Sequence, residues 1–240
     1  LPAFQDNYLW VIVNQKDHQA VAIDPGCAQT VQAFLDRKQL SLSHILATHH
    51  HPDHIGGVAE LTRRPANKFP PIEVIGTHTG RIQEVTSPAR QGDTIQIQDL
   101  SFSVVELPGH TLDHLGFYLK WDEQPDWLFC GDTLFAGGCG RLFEGTHQQM
   151  FDSLNLLRKL PDDTLVFCAH EYTLANLRFL SHYAPGNPAI EQELKRVITH
   201  REKGYSTVPS TIGHEKSFNL FLNAQSVEQF KDIRQAKDRF

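Results

Sequence analysis

Residues 45–57, ILATHHHPDHIGG, crowd four histidines and an aspartate into the six positions 49–54, at the end of an apolar run. If the extended conformation of HILAT (44–48) continues one step, period-two alternation turns His49 and His51 to one side and His50 to the other. Two imidazoles then share one ion, and His50 is a bystander. Pro52 restricts the backbone and can turn the chain so that Asp53 and His54 face a second ion nearby. A polar surface loop explains one or two histidines, but not four at this spacing.

Three further donors stand where other β-rich runs end: His110 in ELPGHT, Asp132 in LFCGDT and His170 in VFCAHE. A carboxylate between two cations can give one oxygen to each and reduce their repulsion. The expected ligand set is therefore His49, His51, His110 and Asp132 for one metal, and Asp53, His54, His170 and Asp132 for the other. Imidazole and carboxylate donors without thiolate suit zinc, iron or manganese, with zinc the first expectation. His114 competes with His110 but opens the apolar run HLGFYL, which points to a core or supporting role. Asp24 either supports a ligand imidazole or caps its own Asp-Pro-Gly turn, and both readings stand.

Outward from these motifs, the first two thirds of the chain alternate short β-rich runs (8–13, 19–24, 44–48, 72–76, 93–97, 100–107, 114–119, 127–132 and 165–170) with helical spacing in 28–39 and 147–160. After about residue 172 the texture turns helical. Asn187-Pro188 reads as N-cap and N1, and Ser226 with Gln229 as a capping box. The expected domains are 1–172, holding metal, and 173–240, holding substrate. The chain has 240 residues, 40% of them hydrophobic, and a formal charge of −6. A nucleic-acid or membrane-surface binder is disfavoured, and any anionic ligand needs a local cationic cluster. No run approaches about 18 consecutive apolar residues, and no basic-then-apolar segment opens the sequence. A cytoplasmic monomer is the expectation. The four cysteines lack C-x-x-C spacing, and Cys130 and Cys168 lie in apolar runs as buried thiols.

HHHPDH followed by GHT, GDT and AHE resembles the metallo-β-lactamase superfamily. The resemblance implies an α+β, four-layer αββα sandwich with the seven donors above as binuclear ligands, and Asp53 and Asp132 serving catalysis beside a metal-bridging water. That scaffold hosts several chemistries, hydrolysis being the default.

FQDNYLW, THHHPDHIGG, GCGRLFEGT, AHEYTLANLRF, TVPST and the terminal R-x-x-K together resemble the glyoxalase II (hydroxyacylglutathione hydrolase) family, bacterial type, over essentially the whole chain. This implies hydrolysis of S-D-lactoylglutathione to glutathione and D-lactate, the second step of methylglyoxal detoxification. It also implies that Arg141, Phe143, His170, Tyr172, Asn176, Arg234 and Lys237 contact substrate. Phe143 departs from the pattern, since eukaryotic members commonly carry tyrosine there, and Arg141 replaces a lysine. The runners-up are a glutathione persulfide dioxygenase, against which the intact Asp53-His54 pair speaks, and another hydrolase of the scaffold such as a lactonase.

Overall fold

A computed structural model describes residues 1–63 and 70–240. Each of the nine β-rich runs overlaps a strand, because each supplies β-branched or aromatic residues bounded by turn formers. They divide into two sheets. The first has five strands in spatial order Trp10–Asn14, Gln19–Ile23, Ser41–Leu46, Glu73–Thr77 and Ser87–Ala89, parallel except for its opening hairpin. The second has six, running from Thr94–Ile97 through Leu100–Glu106, Leu115–Leu119, Trp127–Gly131 and Leu165–Cys168 to Ser210–Thr211. Only the Trp127–Gly131 and Leu165–Cys168 pairing is parallel in that sheet.

The layer order follows from alternation along single strands. In Gln19–Ile23, Val21 and Ile23 face the second sheet and pack with Phe102, Phe117 and Phe129. Ala20 and Ala22 face the other way, onto Val31 and Leu35 of helix Ala28–Lys38. In the second sheet, Leu128, Cys130, Val166 and Cys168 turn outward against Met150, Leu154 and Leu157 of helix His147–Leu157. The result is helix, sheet, sheet, helix. No helix among the described residues is long and apolar enough to cross a membrane.

The helices Thr173–Tyr183, Pro188–Glu202, Ile212–Phe218 and Val227–Arg239 join that outer cluster through Leu177, Leu180, Ile190, Val197, Phe230 and Ile233. Asn187 caps its helix as the sequence predicts, accepting from the Ala189 and Ile190 amides. The Ser226 capping box is only half formed. Ser226 Oγ accepts from the Gln229 backbone amide, but the Gln229 side-chain oxygen Oε1 takes the Gln225 amide instead of the Ser226 amide. A complete box, unread in the sequence, joins Thr146 and Gln149. The TVPST connection also adds the edge strand Ser210–Thr211, which alternation over two residues cannot reveal.

Glu193 ties two of these helices together. Its carboxylate receives Arg196 Nε and Nη2 at 2.8 and 2.6 Å, and His214 Nε2 lies 3.1 Å away. Burial pushes its carboxyl upward, but these partners outweigh burial and hold it at about 2. A folded value below the ordinary 4.5 gives stability that is present above pH 4.5 and is lost as pH falls toward 2. Discounted for the half-exposed Arg196, this is worth about 1–2 kcal/mol. Glu193→Gln is expected to lower Tm by about 3–6 °C near neutral pH and to flatten the acid limb between pH 4.5 and 2. Thermal unfolding across pH checks this, and identical acid limbs would refute it.

Candidate metal centre

The histidine-rich stretch leaves the strand Ser41–Leu46 at the rim between the sheets. His51 keeps an extended backbone and N-caps the one-turn helix Pro52–Ile55, with Pro52 at its first position. Proline suits that position because its missing amide hydrogen has no helical partner there. That single turn carries Asp53 and His54, so the backbone passes from extended to helical between the two halves of the motif. His50 points aside, 3.6 Å from Asp113 and 3.5 Å from Glu144.

His110, Asp132 and His170 arrive from strand ends of the second sheet. His49, His51 and His110 bring ligand nitrogens within 4.8 Å of one another, and so do the donors of Asp53, His54 and His170. Asp132 lies between the groups. Its Oδ2 is 3.3 Å from His110 Nε2, while its Oδ1 is 3.3 Å from His54 Nε2 and 3.4 Å from His170 Nε2. Asp53 Oδ2 completes the second group at 3.5 Å from His54 Nε2 and 3.4 Å from His170 Nε2.

Partners on the far side of each ring fix which nitrogen faces inward. His110 Nδ1 donates to the Arg141 carbonyl at 2.7 Å, His170 Nδ1 to Asp6 at 2.8 Å, and His54 Nδ1 to Asp24 at 2.9 Å. His49 Nδ1 meets the Thr48 hydroxyl at 3.0 Å. A neutral imidazole that donates through Nδ1 keeps its lone pair on Nε2, aimed at the centre. His51 is reversed and presents Nδ1. Asp24 also accepts from the Thr48 amide and hydroxyl, both at 2.7 Å, and its backbone φ is +49°. It forms a third close group with His49 and His54, but its oxygens already take three donors from the outer side of the rings.

These residues fit cations. The buried atoms His49 Nε2, His54 Nε2 and Asp132 Oδ1 have no hydrogen-bond partner among the described residues. His51 Nδ1 and His110 Nε2 face each other at 3.0 Å, and His110 has already directed its proton to the Arg141 carbonyl. Inward imidazole lone pairs, and an Asp132 oxygen with nothing donating to it among the described residues, call for positive charge between them. The electrostatics agree. Burial pulls the His170 ring down, yet Asp132, Asp53 and Asp6 outweigh it and hold the ring at about 10. Burial pushes the Asp132 carboxyl up, but His54 and His170 keep it well below the usual carboxylate range. The arrangement can hold divalent metal.

His114 is buried, stacks on His49 at 4.7 Å and accepts the Asp132 amide through Nε2 at 3.1 Å, which positions a donor without being one. An open cleft of roughly 820 Å³ lies beside Asp53 and His170, walled by the turn Phe4–Asn7, Pro52 and Tyr172. The Tyr172 ring stacks on His170 at 4.6 Å and 5°. Phe143, exposed, stands edge-on to His51 and His110 at 5.4 and 5.2 Å. Arg141 follows the Gly-rich loop and reaches Asp238 on the last helix, which also pairs with Arg234. Lys237 Nζ lies over the Phe179 ring at 5.1 Å and meets the Ala175 carbonyl at 3.3 Å. The carboxamide of buried Asn176 donates to the Ala136 carbonyl at 3.1 Å, bracing the same loop.

Sequence reasoning passed over Asp6 and Asn7, which hold His170 and Asp53, and over Thr48. The only local signal was a polar QDN triplet opening an apolar run. It also passed over Glu215, fully buried, which accepts the Gly137 amide at 2.8 Å and so anchors the Gly-rich loop.

Residues 4–170 match the family model for the metallo-beta-lactamase superfamily, and residues 171–240 match that for the hydroxyacylglutathione hydrolase C-terminus. The hydroxyacylglutathione hydrolase of Chromohalobacter salexigens is 48% identical over 92% of this chain and 84% of its own length. Among solved structures, ETHE1 from Myxococcus xanthus superposes with a TM-score of 0.70 at 29% identity, covering 95% of this chain and 85% of that one. TTHA1623, solved in a di-iron-bound form, gives a TM-score of 0.54 at 27% identity, covering 71% and 89%.

Proposed function

Since the chain belongs to the metallo-beta-lactamase superfamily, and within it to the hydroxyacylglutathione hydrolases, we propose that it hydrolyses S-D-lactoylglutathione and related 2-hydroxyacyl thioesters at a centre of two divalent ions, zinc first among them. The observation that carries the two-ion reading is Asp132, with one oxygen toward each group of donors. The di-iron form of TTHA1623 supports the same count. His49, His51 and His110 would hold one ion, Asp53, His54 and His170 the other, with Asp132 shared.

When bound, such ions supply Lewis acidity, polarising the thioester carbonyl and acidifying water near neutral pH. The chain does the rest. Asp24, Asp6, Thr48 and the Arg141 carbonyl hold the rings in one tautomer, so the donor set needs no reorganisation when charge develops. Asp53, partly open to the cleft and held by Asn7 Nδ2 at 2.9 Å, is placed to accept a proton from attacking water. Burial pushes its carboxyl up, but His170 and His54 overcome this and keep it ionised. The leaving group is a thiolate, stable near neutral pH, so no general acid is required.

Glutathione brings two carboxylates, which a chain of net charge −6 must meet locally. Arg141, Arg234 and Lys237 supply that patch, Tyr172 and Phe143 supply aromatic surface, and residues 173–240 form the substrate-holding part. Burial, then the charge of Arg234, pulls the Lys237 ammonium down to about 8, so it is charged at neutral pH and loses that charge in mild alkali. Lys237→Ala is expected to raise KM about 10-fold with kcat within about twofold. An unchanged KM would remove Lys237 from substrate binding.

The activity itself is tested by assaying S-D-lactoylglutathione, simple lactones and β-lactams with protein of known metal content. Absence of thioester hydrolysis by metal-replete protein would falsify the proposal. Oxygen uptake with glutathione persulfide, in its place, would establish the dioxygenase.

A further inference from the structure

Where the Gly-rich loop meets the last helix, two guanidinium groups flank one carboxylate. Asp238 Oδ1 lies 2.9 Å from Arg234 Nη2 and 3.5 Å from Arg141 Nε. Lys237 adjoins it in the chain. Arg234 is 4% exposed, and its Nε has no hydrogen-bond partner among the described residues. Arg141 and Asp238 are reachable from solvent, with side chains 60% and 37% exposed. The cluster thus already holds an anion of its own.

Helix stability does not account for that anion. Asp238 sits in the last turn of Val227–Arg239, where free carbonyls carry partial negative charge and a carboxylate is repelled. Its i,i+4 pairing with Arg234 runs cation first, the less favourable order along a helix. The carboxylate is the wrong sign for its helix and the right sign for the two guanidinium groups, and it joins residues from the loop and the helix.

Resting on the glutathione reading above, we propose that Asp238 is an internal stand-in for a substrate carboxylate. In the free protein it occupies the facing donors of Arg141 and Arg234. An arriving carboxylate of the glutathione moiety takes those donors over, and Asp238 recovers them when glutathione leaves. Charge-assisted pairing at a guanidinium is directional, and two carboxylates cannot hold the same N–H groups with good geometry. The competition therefore acts on affinity for substrate and product, while the chemistry at the metal centre is untouched. Asp238 is a residue that sets how tightly the site binds carboxylates.

Steady-state kinetics of the metal-loaded full chain test this. Asp238→Asn is expected to lower KM for S-D-lactoylglutathione, and the inhibition constant of glutathione, by about threefold to tenfold, with kcat changed less than about twofold. Asp238→Glu, which keeps the charge, is expected to return KM toward the wild-type value. A thioester with both glutathione carboxylates esterified is expected to respond to neither substitution. An unchanged or raised KM in Asp238→Asn, while the wild type hydrolyses the thioester, overturns the role of Asp238 alone. A metal-loaded wild type that neither hydrolyses the thioester nor is inhibited by glutathione overturns the functional reading beneath it.

Discussion

Asp132→Ala is expected to yield a folded protein that retains neither metal ion and hydrolyses S-D-lactoylglutathione on the order of 10⁴-fold more slowly than the wild type. Among the described residues, Asp132 is the carboxylate that faces both groups of donors, through Oδ2 to His110 and Oδ1 to His54 and His170. Its removal leaves one group with imidazoles alone and takes away the negative charge that would offset repulsion between the two ions proposed for the centre. Folding has independent support. The Asp132 amide donates to His114 Nε2, and its carbonyl packs against Gly140, contacts an alanine keeps. Asp132→Asn isolates charge from shape, because it retains one acceptor oxygen, and should fall between wild type and alanine in metal content. Elemental analysis alongside kcat/KM decides the matter. Two retained ions with wild-type kcat in Asp132→Ala would end the shared-ligand reading.

Much of this site was legible because strand periodicity is local. A step of two separates His49 and His51 from His50, and the structure directs His50 to Asp113 and Glu144. Pro52 announced a change of direction, which proved to be the first position of a one-turn helix. The supports of the donors were not legible. Asp6 and His170 are 164 residues apart, and no pattern of neighbours encodes a contact of that kind. Glu215 was hidden in another way. A glutamate in the short helix Ile212–Phe218 reads as a solvated face, yet it is fully buried, because Gly137, Ser210 and Asn219 all donate to it. Asp238 gives no local sign of its role either, because it joins two arginines from distant parts of the chain. Period and turn chemistry locate donors along a strand or helix, while the partners that orient them follow from tertiary packing alone.

Gly140 shows how closely the loop is fitted to the centre, and Gly140→Ala is the substitution expected to do most damage without touching a donor. A Cβ there would lie 1.9 Å from the Asp132 carbonyl oxygen and 3.2 Å from His110 Nδ1. Backbone offers no rotamer to move aside, so the loop must shift bodily. Three contacts travel with it. The Gly140 amide donates to the Thr133 carbonyl, the Arg141 carbonyl orients His110, and the Cys139 carbonyl receives Arg234 Nη1. The shift therefore misplaces a ligand ring and the cationic cluster together. A displacement of about 1 Å costs on the order of 10²-fold in rate, and the overpacking about 1–3 kcal/mol of stability. Gly186→Ala is the control, since that glycine has positive φ but open space around it. It should lose about 1 kcal/mol of stability to backbone strain and keep its activity. Measuring kcat/KM, metal content and Tm on both variants separates steric fit from glycine flexibility. Equal, small losses in the two would show that the loop does not need its close approach to Asp132.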